Sequence, residues 1–447
     1  MRLSRLAVLT YFAAFALCFA LLVPPWEPPD EPSHLFYVNF VAQRARLPNQ
    51  YETGESVVGE GHQPPLYYVL GAAVDRTLEP DHSVDIEPVR NPRHVWNKGP
   101  DWYVPVYAHT SPDIFATARD RLGFYALRLL SVFLALANLA YMWKIFSLFV
   151  DGSGWSALAS LWVVTLPQFA FISASINNDN LANLLSTLTL YLALRLLKAP
   201  ERSRPFALTG LALGLGLLAK KTLLFTVPGI VVILGYLALK RRSSLRALAG
   251  RGALLFGVAG LVSSPFFVRN YLLYGEFLGT RMERSTLTAL VQPKSLSSSY
   301  FVTSFPVKMF TSYVGEFGYM NVPMPVLVYA VYAALVAIGA AGLLLYLWRR
   351  RGRDESVWFG LLFILACLAG AVVYNLTYSM PQGRFLFPVV ALLAALLALG
   401  WKTALETIHS VRIRRAVLSA LVLTLIALDA LSVAVVYQFY HTAAQYG

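Results

Sequence analysis

Two adjacent carboxylates directly after the first apolar run are the first residues in this sequence that could do chemistry. The segment PPWEPPDEPSHLFY, residues 24–37, contains Asp30 and Glu31, with His34 three residues further on. A carboxylate at a membrane surface can act as a general base toward a hydroxyl group. An Asp can also cap a helix that has a proline such as Pro32 in its first turn. Both roles remain open for Asp30, and the two can coexist.

A second polar segment in the same part of the chain is GEGHQPPLYYVLGA, residues 59–72. Its tyrosines favour the membrane interface because their rings are amphipathic, so a simple interfacial anchor is one interpretation. The other interpretation puts His62 at the mouth of a cleft shared with Asp30. The candidate substrate-binding residues of the two segments are His34, His62, Gln63 and Tyr67.

Several basic residues lie at the predicted outer ends of apolar runs, against the usual bias of Lys and Arg toward the inner side. They are Arg128, Lys220, Lys221, Arg269 and Arg384. A single Lys at such a place usually just extends its amine to the interface. Several cations on one side instead indicate an anion, and a phosphate fits because Arg binds it bidentately and Lys as a point charge. We expect only two or three of these cations to contact it.

Asp179, in the segment ASINNDNLANLL at residues 174–185, is a further polar candidate. We interpret it first as the N-cap of the following helix, and otherwise as a contact for a substrate. A divalent metal could bind Glu60 together with the nearby acids and histidines. No HxxxH or DxD spacing occurs there, so we predict no metal or other cofactor.

The elements that must position these residues are transmembrane helices. Apolar residues make up 57% of the 447 positions and charged residues 14%, against about 25% charged in soluble domains. This composition excludes disorder, a disulfide scaffold and an ordinary soluble enzyme; Cys18 and Cys367 both lie in apolar runs. The net charge of +13 does not indicate nucleic-acid binding, because the basic residues flank apolar runs.

We predict an all-α polytopic membrane protein with about eleven transmembrane helices. The apolar runs are roughly 6–24, 122–149, 156–175, 181–198, 206–219, 222–239, 252–268, 325–347, 357–375, 384–401 and 416–437. The run 206–219 is short for a bilayer and must be partly covered by protein. The first run is followed by Val-Pro-Pro-Trp rather than a small-residue cleavage site, so we expect it to be retained as an anchor.

The distribution of Lys and Arg predicts a cytoplasmic N-terminus and an extracytoplasmic C-terminus, in the inner (plasma) membrane. The inner segments then hold 20 of the 37 Lys and Arg residues. The first outer loop, residues 25–120, holds 14 of the 24 acidic residues, and a second outer loop, residues 275–324, is rich in aromatic residues. We therefore predict one transmembrane domain over residues 1–447 that works on its outer face, with membrane-surface helices in the first outer loop.

In this order the segments resemble the GT-C superfamily of membrane glycosyltransferases, which includes protein O-mannosyltransferases and the lipid A aminoarabinose transferase. The resemblance rests on the acidic pair after the first run, the HQPPLY segment, an Arg in the second run, LLAKKT after the fifth run, and QGRFLFP at residues 382–388. It covers the chain to about residue 400 and is closest to bacterial members that begin with a PDEPxH-type segment.

The resemblance implies a polyprenyl-phosphate-linked sugar as donor, an acidic base in the first outer loop, and transfer with inversion. It also favours a metal-independent mechanism, because the first loop contains no DxD. Polyprenyl phosphate leaves without a proton, so one carboxylate base is sufficient, and cations stabilise the charge that grows on the phosphate. We predict Asp30 as the base and Glu31 as the residue that orients the acceptor or the sugar. The acceptor is a glycan, a lipid or a protein.

Three other functions remain open. A transporter or flippase of a lipid-linked or anionic solute would also need cations, but it would place ionisable residues near the bilayer midplane. A polymerase or ligase of diphosphate-linked oligosaccharides tends to carry its large loop late in the chain, whereas the larger loop here is early. A non-catalytic membrane scaffold would not need the acidic pair.

Overall fold

The helices follow the apolar runs closely. A computed structural model describes residues 4–79, 89–96, 102–109, 115, 117–240 and 244–443. These residues form α1 (Arg5–Leu22), α2 (Glu31–Arg44), α3 (Leu66–Leu78), α4 (Ala118–Phe149), α5 (Ser153–Val164), α6 (Pro167–Ser173), α7 (Asp179–Leu196), α8 (Ser203–Ala219), α9 (Thr226–Leu239), α10 (Leu245–Tyr274), α11 (Thr280–Thr286), α12 (Ser304–Gly315), α13 (Val326–Arg349), α14 (Glu355–Tyr378), α15 (Val390–Glu406) and α16 (Val411–Ala443). Short 3₁₀ helices cover Lys221–Phe225, Thr288–Leu290, Ser299–Phe301 and Gly383–Val389.

Eight helices of the described chain are long and apolar enough to cross a membrane, which makes the protein an integral multi-pass membrane protein. They are Arg5–Leu22, Ala118–Phe149, Lys221–Leu239, Leu245–Tyr274, Val326–Arg349, Glu355–Tyr378, Gly383–Glu406 and Val411–His441. A ninth span results if α5 and α6, which meet at an angle of 70°, cross together. The predicted runs 181–198 and 206–219 lie in α7 and α8, which are not among the eight. The count of eleven therefore stays a prediction.

The short helix α8 packs against both α7 and α10. Two glycines of α8 allow its backbone to approach α10 closely. A Cβ atom at Gly210 would lie 2.2 Å from the carbonyl oxygen of Leu255, and one at Gly214 would lie 2.8 Å from that of Ala259. Small residues permit such close helix packing in membranes, where apolar side chains gain little by leaving lipid.

Two helices, α2 and α3, form in the first outer loop, where membrane-surface helices are predicted. Tyr37 of α2 stacks on Tyr68 of α3 with ring centroids 3.7 Å apart, and both side chains are buried. In the second outer loop, α11 and α12 precede a two-stranded antiparallel hairpin of β1 (Glu316–Phe317) and β2 (Val322–Pro323). The predicted first loop is described except for residues 80–88, 97–101, 110–114 and 116.

Candidate active site

The proline-rich segment at residues 24–32 contains three acidic side chains with three different sets of partners. Glu27 is completely buried and accepts hydrogen bonds from the backbone N–H groups of Val106 (3.2 Å) and Tyr107 (3.0 Å). Its carboxylate also lies 3.1 Å from Nε2 of His109. Glu27 thus anchors the later part of the first outer loop to this segment. This role was not predicted, and an acid enclosed by prolines is the only signal for it in the sequence.

The second acid, Glu31, forms a closed ion pair with Arg128 of α4. Both side chains are fully buried. Nε and Nη2 of Arg128 donate to the two Glu31 carboxylate oxygens at 2.9 and 2.7 Å. The other N–H groups of Arg128 donate to the carbonyl oxygens of Ala20 (2.7 Å), Val23 (2.8 Å) and Pro24 (3.1 Å). These contacts engage all the N–H groups that a guanidinium carries.

This pair corrects two expectations from the sequence. With every N–H group of Arg128 engaged, none is left to donate to a phosphate, so the structure does not support the prediction of Arg128 as a donor-phosphate ligand. Glu31 also accepts hydrogen bonds from the backbone N–H groups of Trp26 and Ile176, each at 3.1 Å. Glu31 therefore holds α4 and the turn before α7 against the start of α2, and the structure does not support the prediction that it orients a substrate.

The third acid, Asp30, keeps 36% of its side chain exposed. It occupies the N-cap position of α2 with φ of 65°, but within the described chain its side chain makes no capping hydrogen bond. The carboxylate instead accepts a hydrogen bond from Nη2 of Arg384 at 2.6 Å. Burial would raise the pKa of Asp30, but the charge and hydrogen bond of Arg384 hold it below its usual value. Asp30 is therefore ionised at neutral pH, and capping alone does not account for it.

Asp30, Arg384, Asp179 and Lys220 form a group of alternating charges that we call the charge cluster. Nη1 of Arg384 lies 3.7 Å from Oδ2 of Asp179, and Nζ of Lys220 contacts Oδ1 of Asp179. The side chains of Arg384 and Asp179 are only 9% and 11% exposed, so solvent screens these charges weakly. Four residues predicted separately as site residues thus meet in one place.

The interpretation of Asp179 as an N-cap is wrong. Asn178 occupies the N-cap position, and Asp179 is the first residue of α7. A carboxylate in the first turn interacts favourably with the helix dipole. That position also directs Asp179 to the two cations, which the N-cap interpretation did not anticipate.

Arg384 is positioned by the tight approach of its 3₁₀ helix to α12. A Cβ atom at Gly383 would lie 2.1 Å from the backbone nitrogen of Tyr313, so this position requires glycine. The Gly383 N–H group donates to Oγ of Ser312 at 2.8 Å, and Nε of Arg384 donates to Oε1 of Gln382 at 2.6 Å. The QGR sequence therefore orients the guanidinium before any ligand binds.

His34 and Glu60 complete the polar surroundings of Asp30. Nδ1 of His34 lies 2.9 Å from the Tyr68 hydroxyl, and burial lowers the pKa of His34 to about 3, so its ring is neutral at pH 7. Burial and the charge of Asp30 raise the pKa of Glu60 to about 7. Two neighbouring carboxyl groups with pKa values displaced in opposite directions are typical of sites that transfer protons.

The same three residues could hold a metal ion. One ligand atom each of Asp30, His34 and Glu60 lies within 4.8 Å of the others. Two carboxylates and a neutral imidazole suit a divalent cation. However, Arg384 and Lys220 already supply positive charge that lowers the pKa of both Asp30 and Glu60. Metal independence stays a prediction.

A second ionic group lies beside the charge cluster. Nζ of Lys221 contacts Glu283 of α11, and Oε1 of Glu283 lies 3.7 Å from Nε2 of His62. Burial lowers the pKa of His62 to about 4, so His62 is neutral at pH 7. Gln63 hydrogen-bonds Glu60, and its Nε2 lies 3.2 Å from Nε2 of His62, so it connects the two groups. Glu283 was not predicted, because no motif marks it.

Two predicted site residues lie in structural contacts elsewhere. Nη2 of Arg269 donates to the carbonyl oxygens of Leu47 (3.2 Å) and Pro48 (2.8 Å), which holds α10 to the first outer loop. The Tyr67 hydroxyl lies 3.0 Å from Oγ of Ser131 and accepts a hydrogen bond from the backbone of Asn177. Of the five predicted phosphate ligands, only Arg384 and Lys220 lie in the charge cluster, with Lys221 next to it.

The fold of this chain is shared with solved membrane proteins. The structure is similar to the archaeal oligosaccharyltransferase AglB from Archaeoglobus fulgidus in complex with an inhibitory peptide and a dolichol-phosphate, with a TM-score of 0.56 and 15% identity. The match covers 97% of this chain and 56% of the AglB chain, so this chain spans little more than half of the AglB length. It is also similar to ArnT from Cupriavidus metallidurans bound to undecaprenyl phosphate, with a TM-score of 0.53 and 14% identity over 99% of this chain and 77% of ArnT. The protein has the GT-C fold of membrane glycosyltransferases, as the sequence predicted.

The chain belongs to the family described as predicted membrane protein (DUF2142), which matches residues 13–393. The match begins within α1 and ends within α15, so it includes the whole charge cluster. No curated protein matches the sequence.

Proposed function

We propose that this protein is an inverting glycosyltransferase that moves a sugar from a polyprenyl-phosphate-linked donor to an acceptor hydroxyl on the extracytoplasmic face of the membrane. The observation that carries the proposal is the charge cluster, in which an ionised and partly exposed Asp30 lies beside the cations Arg384 and Lys220. The GT-C fold supports this class of reaction. The AglB and ArnT structures contain dolichol-phosphate and undecaprenyl phosphate, which supports a lipid phosphate as the leaving group.

Asp30 is the proposed general base. Its carboxylate accepts the proton of the acceptor hydroxyl while that oxygen attacks the anomeric carbon of the donor sugar. Arg384 pairs with Asp30 in the ligand-free protein. When a donor phosphate engages Arg384, Asp30 loses part of this stabilisation, and its carboxylate becomes more basic at the time a base is needed.

Arg384 and Lys220 are the proposed ligands of the donor phosphate. As the acceptor oxygen bonds to the anomeric carbon, the bond from that carbon to the phosphate oxygen breaks, and its electron pair stays on the phosphate. The two cations stabilise this charge, so no acid is required. Attack opposite the leaving phosphate inverts the anomeric centre. Asp179 holds both cations in position between turnovers.

The extracytoplasmic location of the site follows from the Lys and Arg distribution. Asp30 follows the outer end of α1, and Arg384 lies just before α15, in the outer connection from α14 in that orientation. A lipid-linked donor suits this face, since its sugar is already activated and needs no nucleotide there.

The test is a transfer assay with purified protein. Wild type and Asp30→Asn receive a panel of radiolabelled polyprenyl-phosphate sugars and a membrane extract as the acceptor pool, and the release of polyprenyl phosphate is measured. We expect Asp30→Asn to reduce turnover by at least about 100-fold, as for loss of a general base. The matched control is Asp151→Asn, an exposed acid between α4 and α5, which should retain turnover.

Two results would reject parts of the proposal. Equal turnover by wild type and Asp30→Asn would exclude Asp30 as the base. Passage of the labelled lipid across liposomes, without release of polyprenyl phosphate from any donor, would favour a transporter and overturn the transferase proposal.

A further inference from the structure

Four aromatic rings from the two outer loops form a cluster that we call the aromatic platform: His94, Trp96, Trp102 and Tyr319. The ring centroids of Trp96 and Trp102 lie 5.4 Å apart, and each lies 5.0–5.4 Å from that of His94. Trp96 also packs edge-to-face on Tyr319, with centroids 5.6 Å apart. Rings from separate loops thus make one continuous surface.

The aromatic platform is tied to the segment that carries Asp30. The Tyr319 hydroxyl lies 3.3 Å from that of Tyr107, whose backbone N–H group donates to the buried Glu27 three residues before Asp30. Burial raises the pKa of Tyr319 well above its usual value, and the charge of Asp30 contributes to the rise. The Tyr319 hydroxyl therefore lies near enough to Asp30 to feel the charge of its carboxylate.

The aromatic platform is open on one side. Trp96 is 44% exposed and neighbouring Tyr103 is 55% exposed, although both lie outside the candidate spans. Large aromatic surface is seldom left uncovered without a ligand or partner. The rings of the two loops already contact one another in the ligand-free structure, so a ligand need not bring them together.

The polar edge of the platform indicates what kind of ligand it suits. Nδ1 of His94 lies 3.3 Å from the carbonyl oxygen of Val104 and donates to it, which leaves Nε2 as an acceptor. Nε2 is buried and has no hydrogen-bond partner among the described residues. An acceptor of this kind is satisfied by an O–H or N–H donor, which an acyl chain cannot provide.

A positive charge beside the platform further restricts the class of ligand that it can bind. The guanidinium of Arg90 lies 5.9 Å from the ring centroid of Trp96. This positive charge opposes a cationic ligand, such as a quaternary ammonium group, that would otherwise favour an aromatic surface. A sugar ring fits all three features, since its C–H face packs on an aromatic ring while its hydroxyls meet His94 and Arg90.

We propose that the aromatic platform binds a sugar ring of the acceptor, so that the acceptor is a glycan. This inference rests on the proposed transferase function, which it extends by naming the acceptor class. The glycan lies across Trp96 and Trp102 and extends its reactive hydroxyl toward Asp30.

The test measures sugar binding separately from transfer. Wild-type protein in nanodiscs is applied to an array of immobilised neutral and acidic oligosaccharides, and the affinity for retained sugars is measured. We expect Trp96→Ala and Trp102→Ala each to weaken binding about tenfold, and Trp96→Phe to restore much of it. The matched control is Trp348→Ala, which should bind like wild type. Trp348 is 77% exposed and lies at the C-terminal end of α13, whereas Tyr319 of the platform precedes the N-terminal end of that helix.

Each outcome decides the inference. Retention of no sugar by wild type, or unchanged binding by Trp96→Ala, would overturn it. A lower thermal stability of Trp96→Ala in nanodiscs with unchanged sugar binding would identify an interfacial anchor and would also overturn it. Sugar binding that depends on Trp96 and Trp102, without release of polyprenyl phosphate from any donor, would support the platform while the transferase proposal fails. In an active preparation, Trp96→Ala should raise KM for the acceptor and leave KM for the donor unchanged.

Discussion

At the residue scale, acids close together in the sequence have different roles because they meet different partners. Glu27 accepts backbone N–H groups, Glu31 pairs with a buried Arg128, and Asp30 remains partly exposed beside Arg384. A fully buried ion pair with complete hydrogen bonding contributes to structure, whereas an exposed carboxylate next to cations is available to a substrate. The same residue type in one segment thus supplies both the support and the candidate base.

The Glu31–Arg128 pair predicts a large loss of stability when only one partner is removed. Arg128→Leu should destabilise the protein by about 3–5 kcal/mol, because it leaves a buried carboxylate without its partner. The double variant Arg128→Leu with Glu31→Leu should recover much of this loss. Thermal unfolding in detergent measures both effects, and the exposed Arg246→Leu is the control. Unchanged stability of Arg128→Leu together with weaker donor binding would return Arg128 to the phosphate site.

The pH dependence of turnover distinguishes Asp30 from Glu60 as the base. A base must be deprotonated, so the rate is lost as pH falls through its pKa. Arg384 holds the pKa of Asp30 below its usual value, whereas the pKa of Glu60 is about 7. With Asp30 as base, we expect the acidic loss of kcat/KM in Glu60→Gln, which reports the ligand-free protein, to occur only well below pH 6. A wild-type loss near pH 7, together with a Glu60→Gln variant that has lost turnover at every pH, would identify Glu60 as the base.

At the element scale, short irregular segments rather than the long spans carry the site. Asp30 precedes α2, Asp179 begins α7, Lys220 follows α8, and Arg384 lies in the 3₁₀ helix before α15. Each of these residues lies at or beside the end of an element, where the backbone can present a side chain to its neighbours. The packing of the spans then brings these ends together.

Gly383 contacts α12 and precedes Arg384, although it is not itself part of the charge cluster. Its substitution should therefore lower turnover through Arg384. Gly383→Ala places a Cβ 2.1 Å from the Tyr313 backbone nitrogen, so the segment must move and carry Arg384 with it. We expect a loss of turnover comparable to that of Arg384→Ala. Gly370→Ala, in α14 and with no atom within 4 Å of the added Cβ, is the matched control. Wild-type turnover by Gly383→Ala would show that Arg384 does not depend on this contact.

At the scale of the whole molecule, the orientation in the membrane decides whether the site can meet an extracytoplasmic donor. Cysteine labelling tests this orientation. Cys18 and Cys367 are first replaced by Ser, and single cysteines are then introduced at the exposed positions Tyr51 and Ser410. In intact cells, Tyr51→Cys should react with a membrane-impermeant maleimide, and Ser410→Cys should react only after permeabilisation. The reverse pattern would place the charge cluster on the cytoplasmic face and exclude the proposed donor side.

The sequence by itself determined the class of fold, because membrane spans depend on local composition. Apolar runs of bilayer length, basic inner segments and two polar outer segments predicted a polytopic GT-C protein, and its fold is confirmed. The sequence also marked Asp30, Lys220 and Arg384 by residue type and position.

Only the tertiary structure decided which of these residues meet. Asp30 and Arg384 are 354 positions apart, and their contact depends on how the helices pack. Arg128 and Arg269 looked equivalent to Arg384 in the sequence, yet buried carboxylate and carbonyl oxygens engage them. Partners of this kind are selected by distance in the folded chain, and local composition carries no information about that distance. For the same reason, the roles of Glu27 and Glu283 and the aromatic platform emerged only from the structure.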